Sequence, residues 1–210
     1  LQESLPEIQS ELVRAIATRA ESTAMNELMI LAKSNTPEIR KEAIRGIGNL
    51  ADQSHLDQIL ILLLNPKEES DRNDIESAIA YSFRRISDKK IQTDALTKAL
   101  EKADEIAKPS ILSLLGRDPN EQSLQLLISA LKETESIQLA AIGALTKWPN
   151  HGPANDLLKI ASEEKNPNRD AALNSYIILS SKSPNPTLSY RKALELNNST
   201  ATAKKVLAGL

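Results

Sequence analysis

General acid–base or metal chemistry in this chain would have to begin from His55 and His151, its only histidines. The nearest thing to paired acids is Glu68 with Glu69, Glu133 with Glu135, and Glu163 with Glu164. A glycosidase-like centre needs two carboxyls roughly 5–10 Å apart across a cleft. These pairs instead fall at helix ends and turns, where solvated acids are the rule. Cysteine is absent, which removes thiolate nucleophiles, cysteine metal sites and disulfides together. No Gly-rich phosphate loop occurs. Gly46, Gly48 and Gly143 sit inside helical patterns, where a missing side chain lets neighbouring helices approach closely. What remains is a small basic cluster, Lys41, Arg45, Arg84 and Arg85. It reads either as a solvated face or as a surface for an acidic partner peptide.

The elements that position these groups follow a pattern that restarts about every thirty residues. Leu50, Ile86, Leu115, Leu145 and Leu179 end five amphipathic segments, with gaps of 36, 29, 30 and 34 residues. Each has an apolar residue three places earlier: Ile47, Phe83, Leu112, Ile142 and Tyr176. Thirty-odd residues hold two short helices and two turns. A self-similar helix pair of that length buries its apolar face only by stacking on its neighbours, which is the pattern of an α-solenoid.

Punctuation divides the pairs. Pro6 opens a segment over residues 7–20 with Ile8, Leu12, Ile16 and Ala20 on one stripe. Segments at 23–34 and 37–51 follow, with Thr36 as N-cap and Pro37 at the first helical position. On the second of these, Ile39, Ala43, Ile47 and Leu50 share a face away from Lys41, Arg45 and Asn49. Later pairs are predicted at 54–65 with 70–87, 89–103 with 105–117, 120–133 with 135–148, 153–164 with 167–182, and 186–196 with 199–208 as a polar terminal cap. The run Ile59–Leu64 reads as a helix covered on most sides rather than a strand. Asp52, Asp88 and Asp118 recur just past second helices, placed to cap the next helix or its turn. No long linker interrupts residues 1–210, so one continuous repeat domain of about six helix pairs is expected. In that frame His55 and His151 lie three repeats apart, on the order of 25–30 Å for helices packed 8–10 Å apart. They can share neither a metal nor a catalytic dyad.

Composition narrows the functions. Apolar residues make up 40% of the 210, with only five aromatics: Tyr81, Phe83, Trp148, Tyr176 and Tyr190. Such a chain is poorly equipped to stack bases or sugars. Basic and acidic residues number 26 and 28, intermixed, for a net charge of −2, without the basic excess of a nucleic-acid surface. The longest strictly apolar run is far short of the roughly 20 residues a membrane span needs, and nothing near the start reads as a signal peptide. The chain begins at Leu1 rather than Met, which suggests a fragment of a longer protein. Leu1–Leu5 is too short to pair with the 7–20 segment, whose apolar edge is expected to be partly exposed or covered by a neighbour.

Pro37-Glu-Ile-Arg-Lys-Glu-Ala-Ile-Arg-Gly-Ile-Gly-Asn-Leu50 resembles the second helix of a HEAT repeat. Pro167-Asn-Arg-Asp-Ala-Ala-Leu173 resembles the same opening, with Arg169 in the place of Arg40, and Ile142–Leu145 resembles Ile47–Leu50. The 105–117 unit departs from the pattern: it lacks the Arg and carries Pro109, which predicts a kink or a late helix start. The resemblance implies an all-α fold, an α–α superhelix in the form of a right-handed HEAT-like solenoid. Lys147-Trp148-Pro149 and Tyr190-Arg-Lys-Ala-Leu194 resemble a bacterial subset found in multidomain, often exported proteins, which implies a non-catalytic spacer or docking module. HEAT-like DNA glycosylases use Trp on a cationic concave surface. Here the positions aligned with Arg45 (Tyr81, Ser110, Ala140, Asn174) and with Asn49 (Arg85, Leu114, Ala144, Ile178) make no basic track, so Trp148 is expected to staple one repeat turn onto the next.

These readings converge on a non-catalytic interaction scaffold without metal or cofactor. Its partner is a protein or a neighbouring domain of the same chain, met through Lys41, Arg45, Asn49, Tyr81, Arg84 and Arg85, with a further contact at the N-terminal edge. The alternatives are a HEAT-like enzyme (DNA glycosylase-like or bilin-lyase-like) and a tetratricopeptide-type clamp suggested by Tyr190–Leu196. At low salt the chain is expected to flow through heparin and DNA columns. Salt-dependent retention would instead point to nucleic acid.

Overall fold

The computed structural model describes residues 11, 13–17, 22–197 and 199–208. Among them the chain is all-helical, with no strand. Residues 13–17 are helical. Next come α1 (Ser22–Leu31), α2 (Pro37–Leu50), α3 (Leu56–Leu64), α4 (Arg72–Ser82), α5 (Lys89–Lys102) and α6 (Lys108–Leu115). The remaining helices are α7 (Glu121–Ala130), α8 (Glu135–Thr146), α9 (Ala154–Ser162), α10 (Arg169–Ser180), α11 (Pro186–Leu196) and α12 (Thr200–Ala208). Short 3-10 turns at Gln53–His55 and Glu69–Asp71 lead into α3 and α4. Among the described residues no helix is long and apolar enough to cross a membrane.

The chain divides into two compact units, Leu1–Ile111 and Leu112–Leu210. In the first, α1 packs on α2 and α3 on α4, while α2 also packs on α4 and α3 on α5. In the second, α7 packs on α8, α9 on α10 and α11 on α12, with α8 on α10 and α10 on α12. Inside each unit, then, a helix meets its hairpin partner and the like helix of the next hairpin. All ten apolar residues that marked the repeat are buried except Leu50, which is half-buried. Each fully buried Leu or Ile contributes about 1.5–3 kcal/mol.

Boundaries follow local chemistry. Thr36 holds the N-cap position of α2 in extended conformation, but its side chain makes no capping bond, and Pro37 starts the helix with a preset φ. Asp52 caps the 3-10 turn through the Ser54 amide at 2.8 Å, and Asp88 accepts from the amides of Lys90 and Ile91 at 2.9 and 3.3 Å. Past Asp118, Asn120 holds the N-cap of α7, accepting from the Ser123 amide at 2.9 Å while donating its own amide to Asp118 at 3.3 Å. Pro109 produces a late start rather than a kink: it occupies the first turn of α6, where it forfeits no helical hydrogen bond. The Ile59–Leu64 run is helical and covered except at Ile61 and half-buried Leu64. The 70–87 segment is shorter than expected, because α4 ends at Ser82 although Phe83 and Ile86 stay buried. Most of the 7–20 segment and its expected apolar edge lie outside the described residues. Val13 is buried and Ile16 half-buried.

Second helices are tied to each other at both ends, and the tie recurs. At their starts, Arg40 donates to the Ser34 and Asn35 carbonyls at 3.1 and 3.3 Å, closing its own hairpin. It also donates from Nε to Asp71 of the next hairpin at 2.6 Å, a pair that is almost wholly buried. In the second unit Gln138 donates to the Leu131 carbonyl at 2.7 Å, and Asn168 of the next hairpin donates to the Gln138 amide oxygen at 3.0 Å. Arg72 and Arg169, one residue past Asp71 and Asn168, reach back to the carbonyls of Leu63 and Ala161. At their ends, Arg85 donates to the Gly48 and Ala51 carbonyls of α2, and Lys182 donates to the Trp148 carbonyl past α8. Each cation satisfies carbonyls that a helix C-terminus leaves open. These bonds make Arg72 the counterpart of Arg40, so the equivalence drawn from apolar residues is one turn out along α4.

Gly48 explains how closely α2 and α4 approach, since a Cβ there would lie 2.9 Å from the Ala78 Cα. Gly46 is similarly crowded by Ala17 and Leu28, and Gly116, unmarked in the sequence, by Ala144. Gly143 corrects the expectation: a Cβ there meets nothing within 4 Å, so it serves no close approach. Gly48→Ala is therefore expected to lower stability by about 1–3 kcal/mol. Gly143→Ala should raise it by about 0.5–1 kcal/mol through helix propensity; urea midpoints separate the two. Asp71→Ala, which leaves Arg40 buried and unpaired, is expected to cost about 3–5 kcal/mol. The double change Arg40→Gln with Asp71→Asn, copying the other unit's pair, should recover most of that loss.

Candidate functional site

The residues proposed for partner binding gather on one surface of the first unit, where α2 and α4 lie side by side. Lys41, Arg45 and Asn49 are spaced four apart, so one turn separates each from the next along α2. Asp74, Ser77 and Tyr81, three and four apart, follow one face along α4 in the same way. Between the two rows runs a groove of about 530 Å³ floored by Ile44, Gly48 and Ala78. A smaller groove of about 190 Å³ flanks α2 on its other side, lined by Arg14, Ala17 and Gly46, with Glu42, Arg45 and Asn49 shared between the two.

Four of the six predicted residues line the larger groove: Lys41, Arg45, Asn49 and Tyr81. Arg84 and Arg85 stand at its Tyr81 end, their guanidinium carbons 5.3 and 5.6 Å from the ring centroid, within range of a cation–π attraction. Their roles differ. Arg85 is anchored to the α2 carbonyls at 2.6 and 2.7 Å and works as a packing residue that also contributes charge. Tyr81 remains 45% exposed, and Arg84, Lys41, Arg45 and Asn49 are all exposed.

Two carboxylates share the site. Glu42 is bound by Arg14 at 2.9 Å. That hydrogen bond, against the opposing effect of partial burial, holds its carboxyl below the usual 4.5, and the charges of Arg14, Arg45 and Lys41 act in the same direction. Asp74, half-buried, faces the groove from α4. Arg45 and Lys41 form no ion pair or hydrogen bond through their side chains among the described residues, although both act on Glu42 through space. Both residues are exposed.

The other groups singled out for chemistry are occupied locally or stand apart. His55 closes a capping box with Asp52, its Nδ1 2.7 Å from the carboxylate, and the Asp52 carboxyl is held low chiefly by the Ser54 hydroxyl. His151 is exposed in a turn of the second unit. Trp148 is buried just past α8, and its carbonyl receives the Lys182 ammonium. Glu69 is held below its usual range by a two-pronged bond from Arg72, and Glu163 binds Asn166. Among the described residues no three His, Asp or Glu side chains gather as a metal site. Leu114 and Ala144, aligned with Asn49 in the sequence, are buried. The helix-end bonds make Leu139, Gly143 and Ile178 the counterparts of Lys41, Arg45 and Tyr81 instead, none of them charged, while Asn49 corresponds to the exposed Lys147.

A further groove of about 270 Å³ lies between α3 and α5, lined in part by Asp57, Asp94 and Lys98. Asp94 there is already bound by Lys90 at 2.6 Å. Compared with known proteins, the chain matches no family model, and no curated protein matches it significantly.

The link between Arg14 and Glu42 has a measurable signature. Because the Glu42 carboxyl titrates lower folded than unfolded, its stabilising contribution is present above about pH 4.5 and lost as pH falls through the folded value. Arg14→Gln should move the Glu42 side-chain NMR titration up toward 4.5. A midpoint unchanged by that substitution would refute the pairing.

Proposed function

We propose that this chain is a non-catalytic interaction module: a HEAT-like, right-handed α-solenoid of about six helix pairs that offers the surface of its second helices to a protein or to another domain of its own chain. The observation that carries this reading is the groove between α2 and α4. There four of the six side chains expected to meet a partner line a common surface, with Lys41 and Arg45 exposed. The repeat reading is supported by the recurrence of one set of helix-end bonds, Arg40–Asp71–Arg72–Arg85 in one unit and Gln138–Asn168–Arg169–Lys182 in the other, 97–98 residues apart.

The physical basis is pre-organisation. Lys41, Arg45 and Asn49 sit on a helix fixed by its ties to α1 and α4, so little backbone entropy is lost when a partner docks. Modest contact area suffices under those conditions. Scaffolding asks only for such a surface, whereas catalysis would need convergent ionisable groups with a proton or electron path between them.

Site-specific photo-crosslinking in cells that naturally express the protein tests the reading. A benzophenone amino acid at Tyr81 is expected to yield a discrete protein adduct, or an intramolecular crosslink to another domain, that is absent when the probe replaces Ile61 on α3. Equal labelling at both positions, or none at Tyr81, would overturn it.

A further inference from the structure

We infer that the α2–α4 groove receives an acidic peptide segment, its carboxylates met by Arg45 and Lys41 and an apolar side chain laid against Tyr81; this rests on the interaction-module reading above. Charge complementarity selects the occupant. Arg45 and Lys41 stand one turn apart on the same wall, with no ion pair of their own among the described residues. A guanidinium so placed presents a donor fork that matches a carboxylate in two-pronged geometry, and the ammonium adds a second charge at the next turn. Glu42 lies beside these cations and feels both through space, but its hydrogen bond comes from Arg14, which leaves their donor groups for an incoming carboxylate.

The Tyr81 end explains why a purely ionic ligand is the poorer fit. Tyr81 is 45% exposed, with Arg84 and Arg85 over its ring, so it offers aromatic surface set in positive charge. Arg85 is fixed by two carbonyls of α2, which holds this arrangement in register with the opposite wall. Gly48 brings α2 against Ala78, so the groove is floored by small side chains between its two walls.

Nucleic acid is the competing anion, and the site is ill suited to it. Tracking a phosphate backbone requires cations repeated along a path. Here Glu42 and Asp74 both line the groove, and in the second unit the equivalents of Lys41, Arg45 and Tyr81 are Leu139, Gly143 and Ile178. A short acidic segment avoids Asp74 by lying along the α2 wall, where the Glu42 carboxylate is already bound by Arg14. A continuous strand of phosphates has no such freedom.

Fluorescence anisotropy on the full chain tests this with three labelled probes: a ten-residue peptide of Asp and Glu around one Phe, the same peptide with Lys for its acids, and a single-stranded ten-nucleotide DNA. The acidic peptide is expected to bind, to weaken with salt, and to lose about tenfold or more in affinity with Arg45→Glu. Tyr81→Ala should weaken it and Tyr81→Phe restore it, while Lys98→Glu on α5 should leave it unchanged; circular dichroism checks that each variant is folded. Equal binding of the Lys peptide, tighter binding of the DNA, or indifference to Arg45→Glu would overturn the proposal. A Tyr81 photo-adduct persisting alongside any of those results would show that the module docks a protein of other chemistry, leaving the broader reading intact.

Discussion

The structure depends on how a short helix disposes of its last carbonyls. Hairpins of helices only eight to fourteen residues long leave a large share of their backbone groups without an internal partner. In both units that need is met by long side chains from neighbouring elements: Arg40, Arg72, Gln138 and Arg169 at the first-helix ends, Arg85 and Lys182 at the second-helix ends. Each such side chain closes a hairpin or joins it to the next. Apolar burial drives the hairpins together, but it is non-directional. The cross-helix bonds select the register in which they stack.

The same constraint shapes the candidate groove. Arg85 can reach the end of α2 only because Gly48 and Ala78 let the two helices approach, and in reaching it Arg85 comes to stand over Tyr81. The ring and Arg84 are thereby held beside the wall that bears Arg45. A bond whose first role is to finish a helix thus sets the spacing of the surface on which binding is proposed.

Much of this was readable from the sequence, and the failures have definite causes. Ten apolar positions at three-residue spacing marked the buried stripe because a core-facing helix has little freedom there. Pro37 and Asp88 marked helix starts because each acts on its own local backbone. The end of α4 was misjudged because Phe83 and Ile86 are buried without being helical; the Gln92 amide satisfies their carbonyls at 2.9 and 2.7 Å, so the apolar pattern runs on past the helix. The one-turn slip along α4 escaped notice because a shift of four residues leaves the helix face nearly unchanged. Gly143 looked like Gly48, since nothing local tells a glycine that faces a neighbour from one that faces solvent. Arg85 read as surface charge because its partners are backbone carbonyls, which have no residue type. Lys41, Arg45, Asn49 and Tyr81 line one groove because helical spacing on two packed helices is enough to bring such residues together.

That one unit joins its second helices by a buried charge pair and the other by two neutral amides bears on what the stacking requires. What the two units have in common is the match between two positions some thirty residues apart, and neither identity is required by itself. A charged pair and an amide pair thus occupy the same place between second helices, so complementarity across the pair, rather than either residue type alone, is the property on which the packing draws.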